Sequence, residues 1–188
     1  TTSPSGSARA PAAGVPFFVY NSPQEMGGVK VTTDLVIKLI DRLDNLAGVV
    51  DASMDWQFMI EVVSTAQRVR PAFQLLTGLE YMISAGAIGA TGMFAPLAGI
   101  APQAVRNLWE LCAKEQYAQA RPMQEALSAL RQATKAAGVA ALKSGMRIMQ
   151  RNCGQPRAPI DVLEASDEDK LTAEMRAIAV LGAEPRGW

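Results

Sequence analysis

The chain has 188 residues, with 18 basic side chains balancing 18 acidic ones and no histidine. A balanced charge leaves no electrostatic footprint for nucleic acid or for an anionic membrane surface. The lack of histidine removes the commonest general base, the commonest zinc ligand and every His-based triad.

Two cysteines, Cys112 and Cys153, have neither metal spacing nor the density of a secreted disulfide scaffold. They read as ordinary thiols of a cytoplasmic protein. Residues 1–14 are Ser, Ala, Pro, Thr and Gly with one Arg. Such a segment cannot bury apolar surface and is expected to be a disordered leader. Thr1 is not an initiator methionine, so truncation or processing upstream is expected. The rest is long enough for one domain with a real core.

In chain order, Val15 to Tyr20 reads as a short buried strand closed by the turn signal Asn21-Ser22-Pro23. Thr32 or Thr33 then caps a helix with Leu35, Val36, Leu39, Ile40 and Leu43 on one face. Leu46 to Val50 is a second strand, closed by Asp51-Ala52-Ser53. A second helix carries Trp56, Met59, Ile60, Val63 and Ala66 and stops at Arg70-Pro71; Trp56 and Met59 are expected in the core. Phe73 to Thr77 is a third strand, Glu80 to Ala87 a short helix, and Ala90 to Phe94 a fourth strand.

The stretch Tyr81 to Val105 holds no charge and exceeds the ~20 residues of a membrane span. Its four glycines and two prolines would break a spanning helix, so it reads as a buried strand with flanking loops. Apolar strands without alternation, each followed by an amphipathic helix, imply a parallel sheet covered on both faces. From Pro102 onward only helical stripes remain: Ala104 to Cys112, Met123 to Leu130, and Val139 to Met149, the last broken at Gly154-Gln155-Pro156. A final helix, opened by Asp167-Glu168-Asp169, runs through Leu171, Met175, Ile178 and Leu181.

Four landmarks resemble the dihydrodipicolinate synthase / N-acetylneuraminate lyase family. Val15-Pro16-Phe17-Phe18-Val19-Tyr20-Asn21-Ser22-Pro23 is similar to its fifth strand, which ends in Y-N-x-P. Ala47-Gly48-Val49-Val50-Asp51-Ala52-Ser53 is similar to the sixth, V-G-I-K-E-A-S. Thr77-Gly78-Leu79-Glu80 resembles the end of the seventh, and Gly89-Ala90-Thr91-Gly92-Met93-Phe94 with Ile100-Ala101-Pro102 resembles the eighth and its exit. The fold so implied is α/β: a partial (β/α)8 TIM barrel, strands five to eight, over residues 15–101, followed by a C-terminal helical extension over 102–188. A complete barrel takes about 250 residues, and strands one to four have no counterpart here.

The resemblance implies a lyase of the aldolase type that uses neither metal nor cofactor. A strand-six lysine forms a Schiff base with a pyruvate-type keto acid, and a strand-five tyrosine relays protons. By position Tyr20 is that tyrosine, while Val50 stands where the lysine belongs. Gly78 and Phe94 fall at the neighbouring strand ends, where substrate binds in such barrels. An isopropyl group cannot attack a carbonyl, so the imine route is closed at Val50. No lysine lies on the four strands; Lys30, in the loop after the first, is read as a solvated amine. Glu25 occupies a place where relatives handling dicarboxylates often carry arginine, and it would repel a substrate carboxylate. Asp51 and Glu80 read as hydrogen-bonded loop closers, with a metal or carboxylate pair as the alternative.

Two readings follow. One is a divergent lyase-family protein, inactive as an isolated chain. The other is a pseudoenzyme that binds a small acid. In either case the two open sheet edges predict a homo-oligomer or pairing with a complementary half-barrel.

Overall fold

The computed structural model describes residues 14–187. Apart from Gly14, the expected leader lies outside the described residues. Four strands, β1 (Phe17–Asn21), β2 (Leu46–Asp51), β3 (Gln74–Thr77) and β4 (Gly92–Met93), form one parallel sheet in the order β1-β2-β3-β4. Helices α1 (Thr33–Arg42), α2 (Trp56–Val69) and α3 (Met82–Ala87) connect them. A 3-10 turn (Pro96–Gly99), α4 (Pro102–Ala113), α5 (Tyr117–Lys135), α6 (Gly138–Ile148), α7 (Ala165–Ala177) and a closing 3-10 turn (Ala179–Gly182) complete the chain.

The chain divides into two compact units. The first runs to Leu79 and takes in Ser84–Phe94; the second comprises Glu80–Ile83 and everything from Ala95 onward. In the first unit the elements begin and end where local chemistry says they should. Thr32 caps α1 by accepting from the Leu35 N–H, and Asp55 caps α2 by accepting from Phe58. Arg70 closes α2, and its guanidinium reaches the carbonyls of Ile40 and Leu43, acceptors that α1 leaves open at its end, and that of Leu46 at the start of β2.

The sheet packs at close quarters. A Cβ on Gly48 would sit 2.1 Å from the Gln74 carbonyl oxygen and 2.7 Å from the Phe18 ring. Only glycine lets β2 lie against β3 at this point. The regular part of β4 is two residues, shorter than the Ala90 to Phe94 run expected. Thr91 N–H to Leu75 O and Phe94 N–H to Thr77 O nevertheless continue the pairing on either side.

Three inward assignments are corrected. Trp56 is 37% exposed, and Leu35 and Ile60 are also exposed. The buried stripe of α2 is Phe58, Met59, Val62, Val63 and Ala66. Because Asp55 fixes the helix start, Trp56 becomes its first residue and falls outside the covered arc. Met59 is buried, as expected.

The second unit is helical, and its buried charges are satisfied chiefly by backbone. Glu184 accepts from the N–H groups of Gln103 and Ala104, so a distant carboxylate supplies the first turn of α4 with acceptors. Arg151 is buried and donates to the carbonyls of Ile100, Pro185 and Gly187. Helix α6 stops at Ile148, before the Gly154-Gln155-Pro156 break expected from sequence. Gln150 has φ +63°, and the Arg151 N–H returns to the Met146 carbonyl, the hydrogen-bonded closure of a left-handed helix cap. The uncharged stretch from Tyr81 to Val105 is α3, β4, a 3-10 turn and the start of α4. No described helix is long and apolar enough to cross a membrane.

Candidate functional site

In a parallel ladder, partners in register share a face, and residues two apart along a strand share it too. Tyr20 pairs with Val50, Val50 with Leu76, and Leu76 with Gly92. One row of the sheet therefore carries Tyr20, Val50, Leu76 and Gly92, with Phe18, Gly48 and Gln74 in the row behind. Neither row holds a charge.

The rings of Tyr20 and Phe94 meet edge to face, with centroids 6.4 Å apart and planes at 72°. Tyr20 belongs to β1, and Phe94 follows β4, at the opposite edge of the sheet. Strands are about 4.8 Å apart, so these edges would stand about 14 Å apart in a flat sheet. The contact needs a sheet curved toward this face, with both rings leaning over the row between them. Val50 is 8% exposed, whereas Tyr20 is 36% and Phe94 62% exposed. An aliphatic side chain thus lies low on a concave face beneath two aromatic rims.

Asn21 and Asp51, one residue further along and in register, point to the other face. The Asn21 amide donates to Asp51 Oδ1 at 2.5 Å, and its carbonyl oxygen accepts from the Val31 N–H at 3.1 Å. Ser53 donates to the same carboxylate through hydroxyl and backbone, and accepts from the Asp55 N–H. Burial raises the Asp51 pKa above its ordinary value, the bonds from Asn21 and Ser53 oppose that rise, and the Asp55 charge adds to it. This network ties the loops after β1 and β2 to the strand ends. Sequence reasoning saw Asn21 as part of a turn and Asp51 as a loop closer, with a metal or carboxylate pair with Glu80 as the alternative; it did not pair Asn21 with Asp51, the one available signal being a polar residue closing each of two apolar runs.

Gly78 completes the rim. Its N–H donates to the Asp51 carbonyl at 2.6 Å, and a Cβ there would press within 2.7 Å of Ala52 Cβ. Tyr20, Val50, Gly78 and Phe94 all belong to the first unit. Lys30 is solvent-exposed, with its ammonium 3.9 Å from Asp55. Glu25 is exposed. Glu80 has partners of its own: the Leu97 N–H at 3.0 Å and Arg131 at 3.3 Å. Among the described residues no three potential ligands cluster as a metal site would require.

A four-stranded parallel sheet with connecting helices, and a candidate site along its C-terminal strand ends, defines an α/β protein whose fold is similar to that of β/α-barrel enzymes. The chain belongs to the dihydrodipicolinate synthetase family, whose family model matches residues 8–178. An uncharacterized DapA-like lyase of Halobacterium salinarum is 26% identical over 174 residues, covering 92% of this chain and 55% of the relative. The crystal structure of dihydrodipicolinate synthase from Aquifex aeolicus superposes with a TM-score of 0.80 at 19% identity, covering 89% of this chain and 56% of that one. A prophage protein of the same family from E. coli K12, solved in complex with pyruvate, gives 0.77 at 21% identity, over 88% and 56%. The chain spans about half the length of the curated relatives it matches.

Proposed function

We propose that this chain is a divergent lyase-family module for pyruvate-type keto acids whose strand-end site cannot form the imine, so that it is inactive as an isolated chain. The reading rests on Val50. It is in register with Tyr20, on the face where Phe94 leans over, and it has no nitrogen to condense with a carbonyl. On this reading Tyr20 is a proton relay left without its nucleophile, and Gly78 and Phe94 border the ligand. A phenol alone supplies no carbon–carbon bond chemistry, so the isolated chain is inactive. Treatment with pyruvate and sodium borohydride, followed by intact-mass measurement, tests this. No adduct is expected; a trapped adduct means that another lysine has taken over.

A second reading, a binding or regulatory pseudoenzyme, is favoured by the uncharged lining and the open edges at β1 and β4. It expects a keto acid to raise the melting temperature without any adduct. Both readings have the sheet completed by a second copy or by a complementary half-barrel, in the same or another polypeptide. Phe94, a large apolar side chain exposed beside a strand edge that no described strand pairs, supports this. A well-folded monomer in static light scattering would count heavily against it. The division into a half-barrel over residues 15–101 and a helical extension over 102–188 belongs to this reading, as does the cytoplasmic placement.

A further inference from the structure

The second unit holds a cavity that the strand-end reading does not use. Its volume is about 300 Å³, at the lower end of the range for small-molecule sites. Met149, Met175 and Leu181, all buried, and the half-buried Ile178 form its apolar side, while much of the rest of its lining is polar. Arg176 and Arg186 line it too, and no carboxylate does among the described residues. Arg186 donates from Nη1 to the Ile148 carbonyl, which holds it against the end of α6 and leaves its other N–H groups to spare. Arg176 lies in the last turn of α7, exposed, with no hydrogen-bond or ion-pair partner among the described residues.

Cations at helix C-termini complement the helix dipole, and that explains their sign. It does not explain a hollow with an apolar side between them. Two guanidinium groups with unused donors, over a lining of methionine, leucine and isoleucine, match an anionic head joined to an apolar body. The head gains charge-assisted, planar hydrogen bonds, and the body leaves water. We propose that this cavity is a second binding site, for a small carboxylate with an apolar body.

Isothermal titration of the full chain with 4-phenylbutyrate, and with the uncharged 4-phenylbutanol, tests the site. Saturable binding of the acid is expected, with the alcohol at least about tenfold weaker because it forfeits the charged contact. Arg176→Gln should weaken the acid by about tenfold, and Arg176→Lys should recover part of that loss. Arg176 has no described partner, so neither change threatens the fold. Tyr20→Phe should leave binding unchanged, which separates this site from the strand-end reading. The proposal is overturned by no saturable binding, by equal binding of acid and alcohol, by an Arg176→Gln, Arg186→Gln double variant that binds normally, or by loss of binding in Tyr20→Phe.

Discussion

The two units solve the problem of buried polarity differently. In the first, side chains bond one another: the Asn21 amide, the Asp51 carboxylate and the Ser53 hydroxyl form a linked set at neighbouring strand ends, with loop N–H groups donating into it. In the second, buried charges are spent chiefly on backbone: Arg151 gathers carbonyls, and Glu184 supplies the start of a helix. A sheet pairs its own backbone along its length and leaves side chains to deal with what gathers at its ends. Helices leave unpaired backbone groups at every terminus, and long charged side chains reach those groups.

The largest effect should come from emptying the second unit's carbonyl cluster. Arg151→Met orphans the acceptors at Ile100, Pro185 and Gly187 and should cost about 3–5 kcal/mol in urea unfolding. In the first unit, crowding should do comparable damage. Gly48→Ala drives a methyl group into the Gln74 carbonyl and should cost about 3 kcal/mol, read by the same measurement. Asn21→Ala leaves the Asp51 carboxylate short of a donor and the Val31 N–H without an acceptor, for about 2 kcal/mol.

A pH series sharpens the contrast further. Unfolded, Asp51 ionises near 3.8; folded, it keeps its proton to higher pH because burial disfavours the charge. The folded state therefore binds the extra proton, and the stability this adds is complete below pH 3.8 and lost as pH rises through the folded-state value. Asn at this position does not titrate, so the stability of the wild type relative to Asp51→Asn should fall over that window. A flat difference would mean that the bonds from Asn21 and Ser53 cancel the burial. The smallest effect belongs to Lys30→Ala: its amine is exposed and only loosely paired with Asp55, and the change should stay within about 0.5 kcal/mol.

What the sequence revealed was local. The Thr32 cap, the Arg70-Pro71 stop and the acidic opening of α7 are signals a few residues long, and each falls where an element begins or ends. The four strands could be read because apolar runs and turn residues recur at the intervals of a β/α repeat, and the family through the resemblance of the motifs that close those strands. Two kinds of fact were hidden. The phase of a helix stripe slips when the first residue is taken for a core position, as with Trp56. Long-range pairings such as Asn21 with Asp51, or Arg151 with Pro185, leave no trace in spacing, since any buried polar group must find some partner and composition does not say which. For the candidate site, the sequence placed Tyr20, Val50, Gly78 and Phe94 at strand ends. It did not foresee that two of them would touch across the sheet.

That contact has a use beyond the site. Stacked edge to face, the Phe94 ring sits where its π-electron current shifts the proton resonances of the Tyr20 ring, so the magnitude of that shift is a gauge of how tightly the sheet is bowed. A change that flattens the sheet would return those resonances toward their random-coil frequencies while leaving the helices of the second unit untouched. One tyrosine spectrum thus reads the bending of four strands.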